Sequence, residues 1–323
     1  MKNVYNVGII GVGVVGERLI KTFNQNPRFR IIQITDKNPT RLQEMAKKYD
    51  LTPVEHFREI LDNSLVDLVY LAVPPKHHHS IGMKIIESGK AFFCEKPLAN
   101  STKEALDMYT FAEEKGVINA MNFPLPYTGA VNKAKNLIQQ DYLGKLRRVE
   151  LTGYFAEWPR HWQQNPWIDT REQGGFIREV FTHYIQLVNS FYGEVSDIQS
   201  QIAYPKEQGL SERELLATGK LDNGVKVLFN GLCDVGREDF LSLTLFGEKG
   251  VVALRNWRNI WIAQKDEILN QLPYEEENTT NKLVLELAKA LDGEPANLVT
   301  FKEGYETHKV IEALLQGGQE NSG

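Results

Sequence analysis

The chain has little cysteine: Cys94 and Cys233 are its only two, too far apart for a zinc-type or redox spacing. A reducing cytoplasm is the simplest home for such a chain. It also lacks an excess of charge of one sign. Lys and Arg number 37 against 42 Asp and Glu, a net charge of -5, which points away from a nucleic-acid or membrane surface. No apolar run approaches the roughly 20 residues needed to span a bilayer. The first apolar stretch, residues 7–15, is short, broken by glycines and without a cleavage-site pattern, so it reads as a strand rather than a signal peptide. Repeats and low-complexity segments are missing as well. What is there is ordinary for a globular protein, 42% apolar, and 323 residues suffice for two domains.

Residues 1–122 alternate strand and helix signals. Residues 4–10 and 31–35 read as strands, with Val15, Leu19 and Phe23 at helical spacing between them. Asn38-Pro39 supplies an N-cap followed by proline at the first helical position, and Leu42, Met45, Ala46 and Tyr49 continue that helix. Residues 68–73 form an unbroken apolar run, the mark of a strand buried on both faces of a parallel sheet. Ile81, Ile85 and Ile86 belong to a helix that stops at Gly89. Residues 91–94 are the next strand. Ser101 with Glu104 makes a capping-box pattern for a helix ending near Gly116, and residues 117–121 close the series. Such repetition predicts a doubly wound parallel sheet, a Rossmann-type dinucleotide-binding domain over 1–122.

From residue 123 the pattern changes. A helix over 130–140 leads into a strand over 148–155, and 198–204 is strand-like. Strands over 215–221 and 225–232 flank Asp222-Asn223-Gly224, a strong hairpin signal. Leu241, Leu243 and Leu245 alternate with Ser242 and Thr244, and Gly247-Glu248-Lys249-Gly250 turns the chain into 251–254. Hairpin-linked strands predict a mostly antiparallel open sheet, with helices near 175–192, 281–292 and 302–316 covering one face. Residues 123–323 are thus expected to form an α+β domain for substrate binding and oligomerisation, ending in a frayed tail over 316–323.

Gly11-Val12-Gly13-Val14-Val15-Gly16 follows the first strand and opens the first helix. In a dinucleotide site the first glycine permits the tight turn, the second lets backbone approach a pyrophosphate, and the third allows close helix packing. The helix N-terminus then offers N–H groups and a positive dipole end to the phosphates. Asp36 ends the second strand, where a carboxylate holds ribose hydroxyls. It would repel a 2′-phosphate and favour NAD. Lys37 and Arg41 could neutralise that phosphate and admit NADP. The balance falls to NAD, because the acidic residue is the attested ribose partner.

Cys94-Glu95-Lys96-Pro97 follows the fourth strand of the series. A lysine at the carboxyl end of such a strand faces the crevice where open α/β sheets bind ligands, and a lysine in a partly dry cleft suits proton transfer. Gly174-Gly175 leads to Glu179 and His183, four residues apart and so on one helical face. Such a pair suits a histidine base oriented by a carboxylate. His77, His78 and His79 are consecutive, so their side chains diverge and no metal site is read from them.

Taken together, the glycine turn, Pro74-Pro75-Lys76-His77-His78, Glu95-Lys96-Pro97 and Gly174-Gly175 with Glu179 and His183 resemble the glucose–fructose oxidoreductase and inositol dehydrogenase family (Gfo/Idh/MocA) over nearly the whole chain. The resemblance implies that Lys96 touches the reacting hydroxyl and the nicotinamide ribose. It also implies that Ala72, Val73, Pro74, Glu95 and Pro97 border the cofactor, and that His78 either lines the cofactor cleft or caps the following helix. Glu179 stands where the family usually carries aspartate, and Pro75 where it often carries asparagine. After Asn122, a substrate-contact position, Phe123-Pro124 replaces the family's usual arginine or tyrosine.

Trp158-Pro159-Arg160-His161-Trp162 and Trp167-Ile168-Asp169 precede the Gly-Gly turn. Rings with Arg and Asp make a sugar or polyol surface, apolar faces on rings and hydroxyls on charges, with Arg160 and Trp167 as contacts. The same composition also fits a subunit contact. The sequence is read as an NAD(P)-dependent oxidoreductase acting on a small polyhydroxylated substrate, with Lys96, His183 and Glu179 as its catalytic groups. The alternatives are a nucleotide-binding sensor of the same fold, or an enzyme for a linear tetrapyrrole or dihydrodiol. Family members commonly pair or form tetramers through the second sheet, so a homodimer or homotetramer is expected.

Overall fold

The computed structural model describes residues 4–163, 165–274 and 279–317. The expected tail past Gly317 lies outside the described residues. The chain divides into two compact units, Met1–Pro124 with Asn278–Tyr305, and Leu125–Glu277 with Glu306–Gly323.

In the first unit, strands β1 (Tyr5–Ile10), β2 (Phe29–Thr35), β3 (Leu68–Leu71), β4 (Ala91–Cys94) and β5 (Asn119–Met121) lie in the order β2-β1-β3-β4-β5, every pair parallel. Every residue of β3 and β4 is buried, as a parallel sheet covered on both faces requires. Helices α1 (Val14–Asn24), α2 (Pro39–Tyr49), α3 (Phe57–Asp62), α4 (His78–Glu87) and α5 (Thr102–Lys115) fall between the strands, α2 and α3 together between β2 and β3. Asn38 caps α2 by accepting the Arg41 N–H at 3.1 Å. At α5 the Ser101 hydroxyl accepts the Glu104 N–H at 3.2 Å. The Glu104 carboxylate, however, takes the Asn100 N–H at 3.1 Å, one residue ahead of the partner a capping box would give it. Chain order reverses between β1 and β3, and the carboxyl ends of these strands form the crevice where such sheets bind ligands.

The second unit is built on strands β6 (Leu146–Phe155), β7 (Val195–Ala203), β8 (Glu214–Leu221), β9 (Lys226–Cys233), β10 (Phe240–Gly247), β11 (Gly250–Arg255), β12 (Asn259–Gln264) and β13 (Asn270–Leu272). Their order is β13-β12-β11-β10-β6-β9-β8-β7. All neighbours are antiparallel except β6 and β9, which run parallel. Burial alternates along β8 and β9, the period of a sheet with one face on a core. That core takes Val131 and Ala134 of α6 (Gly129–Gln139) and Tyr184, Ile185, Leu187 and Val188 of α7 (Thr182–Tyr192).

One helix goes elsewhere than expected. The segment read as covering the second sheet, α8 (Thr279–Leu291), belongs to the first unit. Polar groups draw it there. Asn26 Nδ2 donates to Asn281 at 3.1 Å, Tyr5 Oη donates to Asp292 Oδ1 at 2.8 Å, and Arg28 Nη2 reaches both Asp292 oxygens at 2.9 and 2.8 Å. Helix α9 (Phe301–Gln316) follows, its residues through Tyr305 belonging to the first unit and the rest to the second. Phe301 is fully buried edge-on against Phe92, ring centroids 5.0 Å apart, and its N–H meets Asn119 Oδ1 at 2.7 Å. Replacing Phe301 with Ala is expected to remove about 3–5 kcal/mol of stability, read as a lower urea midpoint.

Candidate active site

The three glycines of the first turn do different work. Gly11 has φ +94, and a Cβ there would lie 2.4 Å from the Ala72 carbonyl oxygen. A Cβ on Gly16 would lie 2.2 Å from the Gly11 oxygen. Gly13 has nothing within 4 Å of its Cβ position, so this side of the turn is open where backbone would approach a pyrophosphate. The first α1 bond runs from the Glu17 N–H to the Gly13 carbonyl at 2.8 Å. Helix geometry leaves the earlier N–H groups without intrahelical partners, and Val14 beside them is 69% exposed. These features fit a dinucleotide, with Gly13, Val14 and Val15 as its backbone seat and Val12 holding the turn beside them.

Asp36 stands at the same turn. Its Oδ2 accepts the Val12 N–H and its Oδ1 the Asn38 N–H, both at 2.8 Å. Lys37 is exposed. Arg41, expected as a candidate partner for a 2′-phosphate, is committed elsewhere: its Nε donates to the Val12 carbonyl at 3.0 Å and its Nη2 to Glu17 Oε2 at 2.6 Å.

Across the chain reversal lie Ala72, Val73 and Pro74. The Ala72 N–H bonds the Ile10 carbonyl at 2.8 Å, and the Glu95 N–H bonds the Leu71 carbonyl at 3.0 Å, which aligns the ends of β1, β3 and β4. His78 is wholly buried, with Nδ1 2.8 Å from the Pro97 carbonyl and Nε2 2.8 Å from that of Val73. It braces the Pro74 and Lys96-Pro97 loops from behind, at the start of α4, with none of its own surface exposed. Burial pushes its pKa down, against the pull of the two carbonyls. Glu95 is buried too. Its Oε1 accepts from the Tyr70 hydroxyl and from Asn122 Nδ2. Burial raises its pKa and pushes that of Tyr70 well above its ordinary value. Asn122, expected at the substrate, thus turns its amide toward Glu95. Lys96 follows this anchored pair, half-buried at the end of β4.

In the second unit the Gly174-Gly175 turn is set by close packing. A Cβ on Gly174 would meet the Ile168 oxygen at 1.9 Å, and one on Gly175, at φ +95, would meet the Glu212 carboxylate at 2.1 Å. Glu212 is buried, its pKa raised by burial, and it accepts the Ile177 N–H at 2.9 Å. A π turn over Ile177–Phe181 leads into α7, so Glu179 sits in a widened turn rather than the plain α-helix that four-residue spacing implied. Such turns recur at functional sites. His183 is 9% exposed, and the Trp257 ring meets it edge-on, centroids 5.3 Å apart. Trp257 has φ +73, a conformation rare for a bulky residue, and its N–H meets the Tyr184 hydroxyl at 3.1 Å.

The Arg160 guanidinium lies 4.6 Å from the Trp162 ring and 5.6 Å from that of Trp158, while Nε donates to Gln163 at 2.9 Å. Burial lowers its pKa, opposed by Asp239 and Glu179. A cavity of about 250 Å³ opens beside it, lined by Glu157, His161, Trp162 and Asp239 among others. Trp167 packs half-buried on the core. Asp169 is tied to Arg213 at 2.9 Å and to the Ser211 hydroxyl at 2.8 Å, which makes it a structural ion pair rather than a sugar contact.

Residues 5–123 match the family described as oxidoreductase, NAD-binding Rossmann fold, of Gfo/Idh/MocA type, and residues 131–253 match that family's C-terminal domain. The chain belongs to the Gfo/Idh/MocA family. Among its relatives, oxidoreductase P35 of Formosa agariphila is 23% identical over 85% of this chain and 87% of its own length. Levoglucosan dehydrogenase of Pseudarthrobacter phenanthrenivorans is 27% identical over 61% and 54%. Among solved structures, a levoglucosan dehydrogenase in complex with NADH and L-sorbose superposes with TM-score 0.85 at 19% identity, over 98% of this chain and 97% of its own. The WlbA dehydrogenase from Bordetella pertussis, in complex with NADH and UDP-GlcNAcA, does so with TM-score 0.85 at 18% identity, over 98% and 97%. As a Gfo/Idh/MocA member the chain is a nicotinamide-dependent oxidoreductase. No helix among the described residues is long and apolar enough to cross a membrane.

Three residues of this Gfo/Idh/MocA chain carry no signal of their role in the sequence. Tyr70 is absorbed into a buried strand, and nothing marks its hydroxyl. Glu212 is one acid among many. Trp257 lies in a hairpin whose second strand, β12, was not expected, although Ile260-Trp261-Ile262 is a fair strand signal.

Proposed function

We propose that this chain transfers a hydride between nicotinamide and the hydroxyl-bearing carbon of a small polyhydroxylated substrate: a sugar, an inositol or a sugar derivative. The placement of Lys96 carries the reading, at the carboxyl end of β4 with Glu95 pinned by Tyr70 and Asn122. In the oxidative direction His183 takes the hydroxyl proton, Lys96 holds the oxygen and steadies its developing charge, and Glu179 supports the histidine. The substrate C–H leaves as hydride and the carbon–oxygen bond becomes a carbonyl. When bound, the cofactor supplies the two-electron acceptor at nicotinamide C4. Arg160 and Trp167 contact the substrate, and relatives named for levoglucosan support a sugar-like one. Asp36 favours NAD over NADP by repelling a 2′-phosphate. Copies of the chain associate through the second unit's sheet.

The test is the absorbance of reduced nicotinamide while the purified protein meets inositols, aldoses and sugar acids with NAD and with NADP. One polyol class should turn over, and His183→Asn should slow it by about 10²–10⁴-fold with NADH affinity kept. Silence across the panel with cofactor bound would move the chain to an unusual substrate or to the sensor reading.

A further inference from the structure

Arg41 is the cation of the α2 start that the structure ties to the glycine turn, and the manner of its holding has a consequence for cofactor choice. Val12 is gripped at both of its backbone groups, its N–H by Asp36 and its carbonyl by Arg41. Arg41 is itself anchored by Glu17, one turn into α1, at 2.6 Å, with Glu44 3.8 Å away on its other side. Glu17 is a hub. Its Oε1 also accepts from Lys48 Nζ and from the Tyr49 hydroxyl, each at 2.8 Å, and lies 3.7 Å from Lys21. The Lys48, Tyr49 and Arg41 hydrogen bonds hold its carboxyl down to about 2, so it is an anion at any working pH.

An arginine beside the ribose site is the usual partner of a 2′-phosphate. Here that arginine is held at Nε by a carbonyl and at Nη2 by a carboxylate, which fixes where its guanidinium points, and the carboxylate adds a negative charge to that of Asp36.

We propose that Glu17 is a specificity-determining residue that keeps this enzyme on NAD(H) by withholding Arg41 from a 2′-phosphate. Glu17 acts through Arg41 and is a positioning residue. The inference rests on reading Asp36 as the ribose partner.

The test is equilibrium titration of the full chain with NADH and with NADPH, followed by nicotinamide fluorescence. NADH binding by the unaltered protein checks the cofactor seat separately from the proposal. The unaltered protein should bind NADH more tightly than NADPH, and the reverse order overturns the proposal. In Glu17→Gln the ratio of Kd for NADPH to Kd for NADH should fall about tenfold, the worth of one charge-assisted hydrogen bond regained. A general weakening of the fold would move both constants together. Adding Arg41→Ala to Glu17→Gln should restore the original ratio, and Lys48→Met alone should leave it unchanged. An unchanged ratio in folded Glu17→Gln overturns the proposal. Should that variant fail to fold, Arg41→Ala alone decides: its ratio should stay put, and a selective loss of NADPH binding would show that Arg41 already serves the phosphate.

Discussion

Lys96→Met should leave NADH bound and remove turnover. Methionine keeps the unbranched stem that packs at the half-buried end of β4 and discards the ammonium. Behind it, Glu95 stays fixed by Tyr70 and Asn122, and His78 still joins the Val73 and Pro97 carbonyls. The loop therefore keeps its shape, and what is lost is the ammonium proposed to steady the reacting oxygen. Steadying a developing oxyanion with one positioned donor is worth about 10²–10³ in rate, so kcat should fall by that factor. Turnover near the original rate would remove Lys96 from the mechanism, and loss of NADH binding would make it a structural residue of the cofactor seat.

Two alanine substitutions within the same glycine turn should have opposite consequences. In Gly16→Ala the new methyl falls 2.2 Å from the Gly11 oxygen, a backbone atom that cannot swing aside. Helix α1 must lift from the turn, at a cost of about 2–4 kcal/mol, and Tm should fall. In Gly13→Ala the methyl meets nothing within 4 Å, and φ -64 with ψ -161 is extended backbone open to any residue. Stability should change by less than about 1 kcal/mol, while NADH affinity should drop at least about tenfold because the open side of Gly13 is where a pyrophosphate approaches. Thermal melts and NADH titration of both variants separate the two roles. Tight NADH binding by Gly13→Ala would place the phosphates elsewhere.

Where sequence reading worked, one local pattern decided the outcome. The apolar run over 68–73 reads as a strand buried on both faces, and β3 fills its first four residues; the Asn38-Pro39 cap and the Asp222-Asn223-Gly224 turn carry their geometry in their own atoms. Where it failed, the deciding partner was distant. Helix α8 has an apolar face that suits either unit, and its destination is set by Tyr5, Asn26 and Arg28, more than 250 residues away. The parallel pairing of β6 with β9 depends on how the chain returns to the sheet, not on either strand. Arg41 is visible in the sequence as a cation near the ribose site, but its capture depends on Glu17, whose carboxylate lies 24 residues away. Asp169 likewise has the chemistry of a substrate contact, yet Arg213, 44 residues on, holds it.

The return of residues 278–305 to the first unit bears on how the protein is made. A ribosome delivers the five parallel strands early, yet Arg28 lacks its Asp292 and Phe92 its Phe301 cover until the second sheet has been made. The first unit must wait, incomplete, while the entire second sheet is synthesised, so its maturation is a late event despite the early place of its strands in the message.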